Sequence, residues 1–160
     1  MKVSCASSLT GFAAALLLPS LTVAQSSGSF DFLTYNVAGL PEIINGNDIP
    51  GDKKTNSRLL GDALGRENHD FVHMQEDFAY HAYIYETNTH PHRTPTSGTV
   101  VFGDGLNTLS NFDYTELNRT KWKKCSLNSG DCLTPKGFTF MRVSTNGFEL
   151  HLYNLHADAG

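Results

Sequence analysis

Apolar and polar positions change rhythm several times along the chain, and each change marks an element. Residues 30–36 (FDFLTYN) are rich in residues that suit a pleated surface and predict a first strand ending on the amide Asn36. Residues 38–52 carry two prolines and three glycines and predict a long loop over the end of that strand. Residues 53–67 predict a helix with Leu59, Leu60, Ala63 and Leu64 on one face. Residues 70–75 (DFVHMQ) form a short, largely apolar second strand, followed at once by Glu76 and Asp77. Strand, helix and strand in that order predict a βαβ-like unit with a largely buried sheet.

The second half of the chain is patterned differently. Residues 86–98 (ETNTHPHRTPTSG) read as loop. Short strands are expected at 99–102, 106–110, 112–117, 137–144 and 148–154, the last two joined through Asn146-Gly147, a strong hairpin signal. The pattern is that of an α/β fold with increasing antiparallel content and no internal repeat.

Composition alters this picture at the N-terminus. In the first 24 residues Lys2 is the only charge, Gly11 to Leu18 is apolar, and Thr22-Val23-Ala24 offers small residues for cleavage. That is the pattern of a secretory signal peptide over residues 1–24, too short for a membrane span, and no other long apolar stretch follows. An exported chain then retains Cys125 and Cys132, a pair expected to form a local disulfide. Their spacing lacks the further ligands a zinc site would need. Asn118-Arg119-Thr120 is a glycosylation sequon at Asn118 and predicts a surface loop if the source is eukaryotic. A net charge of −4 argues against tight nonspecific binding of nucleic acid, which depends on neutralising phosphates.

Candidate chemistry gathers where strands end. The first strand delivers Asn36, the second Glu76, and the last His156. Ligands of open sheets collect outside strand ends, and an amide, a carboxylate and an imidazole suit a divalent-cation phosphate site. Each residue also has a plain reading. Asn36 can serve a turn, and Glu76 can begin a helix. Of the other candidates, His90 and His92 read as solvated loop residues rather than a metal pair. His73 lies inside the second strand as a core residue or a neighbour of the site, and His151 is expected on the opposite sheet face. Lys121-Trp122-Lys123-Lys124 reads either as a solvated loop with one anchoring aromatic or as a grip on phosphate or lipid. Asp158 is expected in a loop.

Five blocks occur in order: FLTYNVAGLP, VHMQED, SGTVVFGDGLNTLSNF, TPKGFTFMRV and ELHLYNLHADAG. Together they resemble the front half of the endonuclease/exonuclease/phosphatase superfamily, which includes deoxyribonucleases, inositol polyphosphate phosphatases and sphingomyelinases. The nearest resemblance is to exported fungal members, then to sphingomyelinase-like phosphodiesterases. It implies a four-layer α/β/β/α sandwich, here the N-terminal part over residues 25–160. It also implies a secreted hydrolase dependent on Mg²⁺ or another divalent cation. Its substrate would be a phosphate ester: a sphingophospholipid, an inositol phosphate or a nucleic acid. By resemblance Glu76 binds the metal, Asn36 helps hold the metal-bound phosphate, and His156 hydrogen-bonds the scissile phosphate. The family's later Gly-Asp-x-Asn block and Asp-His pair, which supply the base that activates water, do not occur in these 160 residues. The sequence thus predicts an incomplete catalytic domain, inactive by itself, with a non-catalytic metal- or phosphate-binding module as the alternative. No protein partner is implied.

Overall fold

The structure, a computed structural model, describes residues 27–44, 48–98, 103–125, 132–145, 147 and 148–157. The elements in chain order are β1 (Phe32–Asn36), α1 (Lys53–Glu67), β2 (Phe71–Gln75), α2 (His81–Thr87), β3 (His92–Arg93), β4 (Asn107–Ser110), β5 (Tyr114–Lys121), β6 (Gly137–Thr145) and β7 (Phe148–Leu155). The expected signal peptide and the expected strand at 99–102 lie outside the described residues.

Two sheets form. The first has the order β1-β2-β4-β3, with β1 parallel to β2 and the other pairings antiparallel. The second is an antiparallel meander, β5-β6-β7. Residue alternation along β2 serves both faces at once. Val72 and Met74 pack with Leu64 of α1, Ile84 of α2 and Leu109 of β4. Phe71 points the other way, into a second core with Met141 and Val143 of β6. The layers are therefore helices, first sheet, second sheet. This is an α/β sandwich, and among the described residues no helix covers the far side of the second sheet.

Local signals explain α1. Asp52 caps its start by accepting from the Thr55 N–H at 2.9 Å, and Asn68 ends it in the left-handed conformation at φ 51°. The buried face centres on Leu60, Gly61 and Leu64, while Leu59 is 62% exposed, contrary to the expected apolar face. The reason is α2, which packs against Gly61: a Cβ there would lie 2.2 Å from the Ile84 carbonyl oxygen. That contact turns the helix toward Gly61 and leaves Leu59 in solvent.

Two other expectations change. Asn118 is exposed but sits within β5, opposite Phe140, rather than in a loop. The segment expected as loop at 86–98 begins in α2 and contains β3.

Strand directions decide where functional groups meet. β5 and β7 both run antiparallel to β6, so they are parallel to each other. The Asn154 amide of β7 donates to the Met74 carbonyl at the end of β2, which aligns the two sheets. The C-terminal ends of β1, β2, β5 and β7 therefore open at one end of the sandwich.

Candidate active site

Glu76 stands directly after β2 with φ 57°, a left-handed conformation that costs a residue with a side chain about 1–2 kcal/mol. The neighbouring backbone enforces it. Gly39 N–H donates to the Glu76 carbonyl at 2.8 Å, Phe78 N–H donates to the same oxygen at 3.0 Å, and Ala79 N–H donates to the Gly39 carbonyl at 3.0 Å. A Cβ on Gly39 would lie 2.5 Å from the Glu76 carbonyl oxygen, so the loop after β1 requires glycine there. Held strain of this kind concentrates at functional positions.

His156 follows β7 and extends its ladder, its N–H donating to the Gly137 carbonyl at 2.9 Å. Its Nε2 lies 3.6 Å from Glu76 Oε1, with side-chain exposures of 14% and 26%. Two sheets thus bring a carboxylate and an imidazole together, as the strand-end pattern predicted. Asn36 and His156 line one cleft, and Asn36 Oδ1 is engaged with the Ala38 N–H at 2.9 Å. The turn reading of Asn36 is therefore correct.

The cleft has a volume of ≈ 460 Å³ and is also lined by Thr34, His73, Gln75 and Asn154. Asn154 is a residue the sequence reading missed. It is 1% exposed, donates to the Met74 carbonyl at 2.9 Å and to the Asn107 carbonyl at 3.1 Å, and accepts from Gln75 Nε2 at 2.7 Å. It bolts β7 to the first sheet two residues before His156. An amide on the inward-facing side of an apolar strand was the available signal. His73 bonds Thr108 Oγ1 through Nδ1 at 2.8 Å, and burial lowers its pKa to about 4, so it is neutral near pH 7.

Beside the cleft, Asp77 is buried, and loss of solvent raises its pKa. Its Oδ2 accepts from Asn107 Nδ2 at 2.8 Å and from the Tyr85 hydroxyl at 3.2 Å. Lys53 braces the loop after β1 from α1, its Nζ donating to the Leu40 carbonyl at 2.8 Å; loss of solvent lowers its pKa, against the pull of Glu42 and Glu76.

The remaining candidates lie elsewhere. Neither His90 nor His92 is the solvated loop residue expected: His90 is buried, its Nε2 donating to the His69 carbonyl at 2.8 Å, and His92 lies half-buried in β3. His151 is on the outer face of the second sheet, 2.9 Å from Glu149, as expected. Cys125 and Cys132 are disulfide-bonded. Asp158 lies outside the described residues.

Among the described residues no group of three His, Cys, Asp or Glu side chains forms a chelating cluster. The donor set is one accessible carboxylate with an amide and an imidazole nearby. That set fits magnesium, which keeps several waters and takes one or two protein carboxylates. It does not fit an ion that needs a full protein cage.

The chain is 37% identical over 142 residues to sphingomyelinases of Mycobacterium tuberculosis and Mycobacterium bovis, covering 84% of this chain. No family model matches. Among solved structures it is similar to sphingomyelinase C from Streptomyces griseocarneus, with TM-score 0.64, 19% identity, and 83% of this chain and 50% of that one covered. It is also similar to a beta toxin variant from Staphylococcus aureus with bound magnesium ions, with TM-score 0.67, 18% identity and coverage of 82% and 50%. The solved structures it resembles are members of the endonuclease/exonuclease/phosphatase superfamily, the family that the five sequence blocks resemble. Its sandwich is the fold of that superfamily, and its homologues are phosphodiesterases. The chain spans 28% of the length of the curated relatives it matches and about half of these solved structures.

Proposed function

We propose that the protein is an exported, Mg²⁺-dependent phosphodiesterase acting on a sphingophospholipid. The observation that carries the reading is the Glu76–His156 pair, 3.6 Å apart at the joined ends of two sheets. The likeness to sphingomyelinases supports the lipid over the inositol phosphate and nucleic-acid substrates. In the reaction, water adds to phosphorus, the ester P–O bond breaks, and the alcohol leaves carrying a proton.

Glu76 holds the cation through its carboxylate. When bound, the cation supplies Lewis-acid stabilisation of the phosphate charge. His156 Nε2 donates a hydrogen bond to a phosphate oxygen, and the Asn36 amide N–H group orients another. Asn154 and Gln75 fix the strand ends from which these groups project. The attacking water must also give up its proton to a positioned base, a role that none of Glu76, Asn36 and His156 fills in this arrangement.

The experiment is a magnesium titration of sphingomyelin hydrolysis by the intact protein. Glu76→Gln keeps the shape and removes the charge, so metal affinity and turnover fall and high magnesium partly restores them. His156→Ala loses one transition-state donor, about 10²–10³ in rate, and added metal does not restore it. Wild-type turnover and metal dependence in Glu76→Gln would refute the assignment. Metal binding without any turnover in the wild type would leave a binding module.

A further inference from the structure

Two loops flank the Glu76–His156 pair at the same end of the sandwich, and hydrolysis explains neither. The first follows β1. Ile43 is 95% exposed, Ile44 55% and Ile49 58%. Single exposed isoleucines are ordinary, but three on one loop are a surface with a purpose. The loop is braced at its base: Lys53 Nζ donates to the Leu40 carbonyl at 2.8 Å, Glu42 N–H to the Tyr80 hydroxyl at 3.2 Å, and Ile44 N–H to the Pro41 carbonyl at 2.8 Å.

The second loop follows β5. Lys121, the last residue of β5, and Trp122, Lys123 and Lys124 after it are all exposed. Trp122 Nε1 donates to the His156 carbonyl at 2.8 Å, and its ring packs 5.6 Å from Phe138. That bond fixes the basic strip beside the site. A protein of net charge −4 thus concentrates three lysines within four residues at its functional end.

We propose that this end of the sandwich docks on a bilayer containing anionic phospholipid. The lysines face headgroup phosphates, Trp122 sits at headgroup level with its polar edge tied to His156, and the isoleucines enter the acyl boundary. A soluble polyanion would use the lysines but has no use for the isoleucines, which is why the bilayer is the occupant. The inference deepens the phosphodiesterase reading and rests on it for the purpose of docking: it presents the site to a lipid headgroup without extracting the lipid.

The test uses the intact protein and sedimentation with vesicles of phosphatidylcholine alone or mixed with phosphatidylserine. Wild type should bind the mixed vesicles more tightly, and less so at high salt. Lys121→Gln/Lys123→Gln/Lys124→Gln should lose on the order of a hundredfold of that affinity, at about fivefold per lysine. It should hydrolyse a short-chain, water-soluble phosphodiester as wild type does. Ile43→Ser/Ile44→Ser should weaken binding to both vesicle types. Equal wild-type binding to both vesicles, or unchanged binding by the triple variant, would overturn the proposal. So would duplex DNA that competes fully with the mixed vesicles while Ile43→Ser/Ile44→Ser binds them as wild type does. Vesicle binding as expected without hydrolysis of either substrate would sink the phosphodiesterase reading and leave the docking surface standing.

Discussion

Asn154→Ala tests whether the two sheets are held in register by one side chain. Asn154 makes three buried hydrogen bonds, to the Met74 and Asn107 carbonyls and from Gln75. At about 1 kcal/mol net for each, their loss lowers stability by about 3 kcal/mol, a large share of a typical total of about 5–15. Asn154→Asp sharpens the test. It keeps the shape and the acceptor to Gln75, but replaces both donors with lone pairs aimed at carbonyl oxygens. It should cost at least as much as alanine. Urea unfolding of the intact protein, followed by near-ultraviolet circular dichroism, measures both variants. A loss below about 1 kcal/mol for alanine, or an aspartate variant as stable as wild type, would show that apolar packing alone aligns β7 with β2.

Arg119→Ala should destabilise by about 3–5 kcal/mol, because Arg119 grips the buried Asp104 carboxylate at 2.7 and 2.8 Å and its loss strands that charge; the denaturation midpoint checks it. Glu76→Gly should raise stability by about 1 kcal/mol by relieving the left-handed backbone while abolishing magnesium-dependent turnover, measured by calorimetry beside the activity assay. His73 has a pKa of about 4 in the folded chain against 6.5 when unfolded, so its neutral form is the folded one. Stability should be full above pH 6.5 and fall by about 3 kcal/mol toward pH 4, and His73→Gln should flatten that slope in denaturation curves taken across the range. Thiol labelling of native, non-reduced protein should find Cys125 and Cys132 blocked, and reducing their bond should cost roughly 2–3 kcal/mol.

What the amino-acid sequence by itself determined was local. Helix α1 occupies 53–67 as read, because Asp52 and Asn68 mark its ends within a turn of chain. The β6–β7 hairpin follows from its turn and alternation. The positions of Asn36, Glu76 and His156 at strand ends were legible because each polar residue closes a run with strand patterning. Tertiary structure decided the rest. Helix α2 is only seven residues long and forms against Gly61, a contact that no window of sequence contains. Leu59 lost its expected place to the same contact. Asn118 lies in a strand because β6 offers it a partner at Phe140. Asn154 reaches a carbonyl 80 residues away, and Glu76 meets His156 only after two sheets stack with their strand ends aligned. Short-range hydrogen bonding chooses helices and turns, but the meeting of distant side chains depends on burying both faces of β2 at once, which only the packed sandwich can do.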